Sequence, residues 1–292
     1  MEHEVYQIYD SIFKRIFTLS NLAIINMING LFQTNYPPDS AVTYPNKEFI
    51  SKSMNRRFAD VFITINGIHT YHIEAQIQKD DNIVVRVFEY CFFEAMQSRE
   101  DSEHLIFPQP VVIYLSKESD IPQESTLILE FGEQGSFEYK VKNYLYLEHD
   151  VTEINQKKLV VLIPFQLLRL KEIIRKEPTK ENFILLQTLI QNDIIGSIEA
   201  NLKVGNITVD DANQLSELTH RLYTHLYEHY FELGGCEDMK PLLDGAMELP
   251  LDKYRIRIDE LEAEKARAEE GKARAEQEVR KLQAKIKELE SK

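Results

Sequence analysis

The sequence has few cysteines and no long uncharged apolar run. Cys91 and Cys236 are the only cysteines among 292 residues, and they lie far apart and outside any CxxC pair. This excludes a disulfide framework and a zinc ribbon. No stretch of 18 uncharged apolar residues occurs, and the N-terminus MEHEVYQIYD is acidic where a signal peptide carries positive charge. These absences predict a soluble cytoplasmic protein that is not exported and has no membrane partner.

Apolar residues are abundant and the acidic excess is local. Hydrophobic residues make up 43% of the chain, with 15 Phe and 14 Tyr, which excludes a disordered chain. The net charge is −14, and residues 100–254 carry nearly all of it, with 14 Lys+Arg against 27 Asp+Glu. Salt screens such a field over about 8 Å, so a basic patch elsewhere can still bind phosphate.

One segment, NKEFISKSMNRR, supplies such a patch. Its basic residues, opposed only by Glu48, are Lys47, Lys52, Arg56 and Arg57. The segment is interpreted either as a DNA-binding surface or as a solvated charged loop.

The order of elements indicates a mixed sheet covered by helices. DSIFKRIFTLS and NLAIINMINGLF have apolar residues at helical spacing, and FADVFITINGIHTYHIEAQ alternates as a hairpin around Asn-Gly. DDNIVVRVFEYCFFEAMQS predicts a helix beginning near Asp80 and Asp81, and PVVIYLS predicts a strand buried on both faces. We therefore expect an α/β fold.

The pattern of the second half of the chain predicts strands followed by helices. TLILEFGEQGSFEYKVKNYLYLE alternates as a strand pair. KKLVVLIPFQLLRLKEIIRKEP predicts an apolar strand that passes through Pro164 into a helix. Residues 179–233 predict helices with a break near VGNITVDD. No internal repeat is present.

The tail has a heptad pattern. Positions seven apart form one series, Leu261, Ala268, Ala275, Leu282 and Leu289, and a partner series three residues earlier, Ile258, Lys265, Lys272, Val279 and Ile286. This pattern predicts a coiled coil that forms a parallel homodimer, because lysine at core positions reaches water more easily in a dimer than in a trimer. Lys265, Lys272 and Gly271 weaken its middle, so a lone solvated helix is the alternative.

The hairpin carries carboxylates inside its apolar pattern. Side chains alternate along a strand, so Glu74 shares a face with His72 and Gln76, while Asp60 lies on the other arm. Two carboxylates that face the same way on neighbouring strands can hold Mg²⁺, a cation that prefers oxygen ligands. The alternative is that both carboxylates point to solvent.

The turn decides whether the two carboxylates share a face. A two-residue turn at 66–67 points Glu74 to the face opposite Asp60. A three-residue loop at 65–67, with a left-handed glycine in a bulge, pairs Asp60 with His72 and brings Glu74 onto the same face. A metal site therefore requires a bulge in this hairpin.

The hairpin and the following helix together resemble a known family. The order RRFADVFITINGIHTYHIEAQ followed by VVRVFEYCFF resembles the PD-(D/E)XK nuclease-type putative transposases, the recombination-promoting nuclease (Rpn) family. Asp60 matches the family's Asp, Glu74 and Gln76 match its Glu-x-Gln, and Arg86 and Tyr90 match its helical Arg-x-x-x-Tyr. YDSIFKRIF, with Asp10 and Lys14, and VLIPFQLLRLKE are also similar, so the resemblance covers roughly residues 5–175.

The resemblance implies a restriction-endonuclease-like core and metal-dependent hydrolysis of DNA in recombination or transposition. Asp60 and Glu74 would hold Mg²⁺ (or Mn²⁺). Gln76 replaces the lysine of the superfamily consensus, and Arg86 would supply the missing positive charge. An ordinary salt bridge from Arg86 to Glu89 or a nearby acid is the alternative.

Asp10, Lys14 and Tyr90 would be accessory residues, although a helix N-terminal cap also explains Asp10. His225 and His229 have zinc-binding spacing but no third ligand, and they are interpreted as surface or packing residues. His69 and His72 lie on opposite faces of their strand and do not form a pair.

These patterns divide the chain into three parts. Residues 1–175 are the expected nuclease-like domain, 176–250 a helical region and 251–292 the coiled-coil tail. Two functions remain open: a DNA endonuclease, and a catalytically inactive interaction protein derived from a nuclease whose coiled coil joins subunits or partners.

Overall fold

A computed structural model describes residues 2–45, 59–99, 103–117, 120–249 and 272. The chain divides into two units, Met1–Met247 and Glu248–Lys292, and the first contains the sheet. Within the part of the chain that the structure describes, no single helix is long and apolar enough to span a membrane. The helical segments Ile8–Ile16 and Asn21–Phe32, bent by 104° relative to each other, together have the length and composition of a span.

The first two helices confirm the helical spacing of the N-terminal segments. They are α1, Glu2–Ile16, and α2, Asn21–Phe32. Ser20 caps α2, because its Oγ accepts a hydrogen bond from the Ala23 N–H at 3.3 Å. Asp10 lies in the interior of α1, so the explanation of Asp10 as a helix cap is wrong.

Six strands form one mixed sheet. They are β1 Val42–Thr43, β2 Ala59–Ile65, β3 His69–Gln76, β4 Gln109–Tyr114, β5 Glu124–Glu130 and β6 Ser136–Leu145. Their order is β1-β2-β3-β4-β6-β5. The β3–β4 and β4–β6 pairs are parallel and the other three pairs are antiparallel. The predicted mixed sheet and the predicted strand pair are confirmed.

The hairpin register differs from the expected one. Ile65 pairs with His69, so the three-residue loop is Asn66-Gly67-Ile68, one residue later than the expected loop. Asn66 and Gly67 are both left-handed, with φ of 54° and 68°. Asparagine adopts this conformation more readily than most residues. Its side-chain oxygen accepts a hydrogen bond from the Ala41 N–H at 2.9 Å, which ties the turn to the start of β1.

This register places Asp60 directly opposite Glu74, whereas the expected register placed it opposite His72. Because the shift is two residues, the predicted common face of the two positions is retained.

Helix α3, Ile83–Ser98, covers the face of the sheet that carries Glu74. Val87 and Cys91 of α3 and Val112 of β4, all buried, are members of the apolar cluster between helix and sheet. The helix begins three residues after Asp80, whose Oδ1 accepts from the Asn82 N–H at 2.9 Å.

The remaining described helices follow the sheet. They are α4 Val151–Gln156, α5 Leu168–Lys176, α6 Lys180–Thr188, α7 Gly196–Lys203, α8 Val209–Tyr227, α9 Tyr230–Gly234 and α10 Lys240–Ala246. A π-helical segment, Leu189–Ile195, joins α6 to α7. Asp211 at the start of α8 accepts hydrogen bonds from the Ser20 N–H at 2.7 Å and the Thr208 N–H at 2.8 Å, which ties α8 to the start of α2.

The strand expected before Pro164 is wrong. Val160–Leu167 forms a 3₁₀ helix in which every side chain is buried. A short apolar run that is buried all round has no periodicity that separates a strand from a helix. The expected coiled-coil seam at 258–289 and the basic patch at 47–57 lie outside the described residues, apart from Lys272.

Candidate active site

Strand β3 directs three polar side chains toward α3. His72, Glu74 and Gln76 alternate along the strand and are 0%, 1% and 0% exposed. Their neighbours on β2 are Phe62, opposite His72, and Asp60, opposite Glu74. Polar groups in such a place need partners, because an unpaired buried charge costs several kcal/mol.

Glu74 is the centre of the hydrogen bonds at this face. Its Oε1 accepts from Gln76 Nε2 at 2.7 Å and from Arg86 Nη2. The strand supplies a neutral donor two residues along, and α3 supplies a cation. Both donors therefore hold the carboxylate in one orientation.

Arg86 links three elements of the chain. Its Nη1 donates to Asp80 Oδ2 at 2.7 Å, while its Nη2 donates to Glu74. Burial lowers the pKa of the Arg86 guanidinium, but the charges of Glu74 and Asp80 outweigh burial and leave the pKa raised. The observed partners are Glu74 and Asp80, so the expected alternative of a salt bridge to a nearby acid is present, while Glu89 is exposed on α3.

His72 is enclosed by aromatic rings. Phe62 stacks on it with 4.4 Å between ring centroids, and Tyr90 meets it edge-on at 6.0 Å. Burial, followed by the charge of Arg86, lowers the pKa of His72 to about 3, so the imidazole is neutral at physiological pH.

The donor set of this face fits a cation. Gln76 Oε1 is buried, and among the described residues it has no hydrogen-bond partner. An unsatisfied buried acceptor calls for a donor or a cation. Carboxylate and carboxamide oxygens are the ligands that hard divalent cations prefer. Asp60 is described by its backbone register alone, which puts it across from Glu74.

The remaining predicted residues are only partly drawn into this cluster. Tyr90 reaches it through His72. Lys14 donates to Asp10 Oδ2 at 2.8 Å on α1, and this bond forms an exposed pair four residues apart. The DNA-binding candidates Lys47, Lys52, Arg56 and Arg57 lie outside the described residues.

The two histidines with zinc spacing line a separate cavity. His225 and His229, with Glu228 and Lys240, border a cavity of about 660 Å³. His225 meets Tyr9 edge-on at 6.2 Å, and His229 is exposed. Among the described residues, no group of three or more His, Cys, Asp or Glu side chains has the geometry of a metal site.

The roles of two members of the cluster were not expected from the sequence. Strand alternation placed His72 on the same face as Glu74, two residues before it, but no role in the site was predicted for it. Asp80, assigned only to a helix start, anchors Arg86, and its position six residues before Arg86 gave no helical spacing by which to recognise the pair.

Comparison with known proteins gives one match. A family model described as "Putative transposase, YhgA-like" matches residues 7–197. No curated protein and no solved structure matches the chain.

Proposed function

The chain belongs to the family of YhgA-like putative transposases, and on this basis we propose that it is a metal-dependent DNA endonuclease that acts in recombination or transposition. The observation that carries the proposal is the hydrogen-bonded trio of Glu74 and Gln76, both buried on β3, and Arg86 of α3, with Asp60 paired across from Glu74. The matched residues 7–197 include all four of these positions. The proposed core is of the PD-(D/E)XK type.

Asp60 and Glu74 would hold Mg²⁺ or Mn²⁺, and Gln76 Oε1 offers a further oxygen. The cation would polarise a phosphoryl oxygen and lower the pKa of a water molecule. Support for this role comes from burial: a carboxylate that is 1% exposed is shielded from competing water and held in one rotamer by two donors.

Arg86 would take the electrostatic role of the consensus lysine. Gln76 is neutral and already donates to Glu74, so it adds no charge to the site. The side chain of Arg86 is 24% exposed, which leaves it reachable by a phosphate, and Asp80 fixes its position. An arginine suits this task because its fork of donors matches phosphate geometry.

Binding of DNA and pairing of two active sites would come from parts of the chain that the structure does not describe. Lys47, Lys52, Arg56 and Arg57 would contact the phosphate backbone. The heptads of residues 258–289 would join two chains, so that two sites face one duplex.

One observation favours a second candidate function. Arg86 compensates the charge of Glu74, as a purely structural ion pair would. The second candidate is therefore a catalytically inactive interaction protein that retains the nuclease core.

A plasmid-nicking assay separates the two functions. Purified protein is incubated with supercoiled plasmid and Mg²⁺ or Mn²⁺, with EDTA as the metal-free control. If the protein is a nuclease, we expect cleavage in the presence of the cation and none in EDTA. Asp60→Asn and Glu74→Gln should each reduce the cleavage rate by at least about a hundredfold.

Glu89→Gln is the matched control, because it removes an exposed carboxylate from α3, and it should cleave like the wild type. Folded wild-type protein that binds plasmid and leaves it supercoiled with both cations would favour the inactive interaction protein.

A further inference from the structure

His72 lies beside Glu74 with one ring nitrogen directed at the candidate metal site. Its Nε2 is 4.0 Å from Glu74 Oε2, and its Nδ1 is 3.7 Å from Cys91 Sγ on α3. Phe62 and Tyr90 pack on the ring, so the imidazole has little freedom to turn away. In this conformation Nε2 is the nitrogen that faces the carboxylate.

The nitrogen that faces Glu74 is unsatisfied. His72 is fully buried, and within the described residues its Nε2 has no hydrogen-bond partner. A buried polar atom in this condition is uncommon and calls for an explanation, of which a bound ion or water is one. Gln76 Oε1, on the same strand face, is in the same condition. Two buried, unsatisfied atoms thus flank the carboxylate of Glu74.

We propose that His72 Nε2 is a nitrogen ligand of the divalent cation at Glu74, and that the site therefore prefers Mn²⁺ to Mg²⁺. The inference rests on the proposed function and names the cation class. Two donors of one ion, each at about 2.1 Å, can be up to about 4.2 Å apart. The observed 4.0 Å between Nε2 and Oε2 falls within that span.

The contact of His72 with Cys91 is compatible with the tautomer that this role requires. When Nδ1–H donates to Cys91 Sγ, Nε2 presents its lone pair to the site. Histidine ligands commonly donate their second nitrogen to a neighbouring group in this way. An imidazole in the ligand set favours Mn²⁺ over Mg²⁺, because Mg²⁺ is the harder ion and selects oxygen donors.

Electron spin echo envelope modulation of the Mn²⁺-loaded protein tests the ligand directly. The wild type should show ¹⁴N modulation from a bound nitrogen, and His72→Gln should lose it. His69→Gln is the matched control, because His69 lies three residues earlier on the same strand and is exposed, and it should keep the modulation. Bound Mn²⁺ without ¹⁴N modulation in the wild type would overturn the proposal, and this result does not depend on any variant folding.

Calorimetric titration with Mn²⁺ and Mg²⁺ gives the second readout. The preference for Mn²⁺ over Mg²⁺ should fall by about tenfold or more in His72→Gln. An unchanged preference in a folded variant would also overturn the proposal. Mn²⁺-dependent plasmid cleavage without ¹⁴N modulation would contradict the role of His72 as a ligand and would still support the nuclease proposal. Conversely, ¹⁴N modulation without cleavage would support His72 as a ligand and would contradict the nuclease proposal.

Discussion

Arg86 on α3 donates a hydrogen bond to Glu74 on β3, and its second arm donates to Asp80 at 2.7 Å. Glu74 is 1% exposed, so water does not stabilise its negative charge, and Arg86 and Gln76 contribute that stabilisation. The same pair therefore contributes to folding and fixes the carboxylate that the proposed chemistry uses.

Removal of Arg86 should destabilise the fold. Arg86→Ala leaves Glu74 as a buried carboxylate with a neutral donor, and the free energy of unfolding should fall by about 3 kcal/mol in urea titrations. Adding Glu74→Gln to Arg86→Ala should recover part of the loss, because the unpaired charge is removed.

Lys14→Ala is the comparison for this experiment. It breaks the exposed pair with Asp10 and should change the free energy of unfolding by no more than about 0.5 kcal/mol. If the two variants lost the same free energy of unfolding, the Arg86–Glu74 pair would contribute no more to stability than an exposed ion pair.

Much of this face could be predicted from the sequence. The alternation of β3 predicted that Glu74 and Gln76 share a side, and the Asn-Gly turn predicted the hairpin. The register came out two residues away from the expected one, because Asn66 as well as Gly67 adopts a left-handed conformation and the loop begins one residue later.

Other features could not be predicted. The partners of Glu74 depend on how α3 is placed over the sheet, which local spacing does not determine, and so the roles of His72 and Asp80 were not foreseen. The apolar run before Pro164 predicts a strand but lies in the 3₁₀ helix Val160–Leu167, because complete burial erases the periodicity that separates the two conformations.

Glu94 should make stability depend on pH. It is buried on α3, and burial raises the pKa of its carboxyl above the unfolded value. Its contribution to stability is therefore fully present below the unfolded pKa of about 4.3 and is lost as pH rises through the folded pKa. Glu94→Gln should raise the free energy of unfolding at pH 7.5, and this gain should disappear near pH 4.

Glu89→Gln provides the control for the pH series, because Glu89 is exposed on the same helix. An equal gain at pH 4 and pH 7.5 for Glu94→Gln would contradict the electrostatic explanation.

Two glycine-to-alanine changes test the packing of the helices. A Cβ at Gly30 in α2 would lie 2.2 Å from the backbone oxygen of Lys157, so Gly30→Ala should lower the melting temperature, with a cost of about 1–3 kcal/mol. At Gly245 in α10, no described atom lies within 4 Å of a Cβ, and Gly245→Ala should stabilise by about 0.5–1 kcal/mol. A stabilising effect of Gly30→Ala would mean that α2 does not pack closely on Lys157.

The tail should determine the oligomeric state. Deletion of residues from 256 onward leaves the unit Met1–Met247 complete, so the circular dichroism of that unit should persist. Sedimentation equilibrium should change from dimer to monomer, and double-strand cleavage should become nicking. A truncated protein with the same oligomeric state as the full chain would place the dimer contact elsewhere.

The most direct test of the central claim is the cleavage rate of Glu74→Gln measured together with its affinity for the same DNA. This change keeps the shape of the side chain and removes the charge that would hold the cation. We expect the DNA affinity of the variant to be within about threefold of the wild type, while its cleavage in Mn²⁺ falls by at least about a hundredfold. Cleavage at the wild-type rate by folded Glu74→Gln would contradict a metal-binding role for this carboxylate.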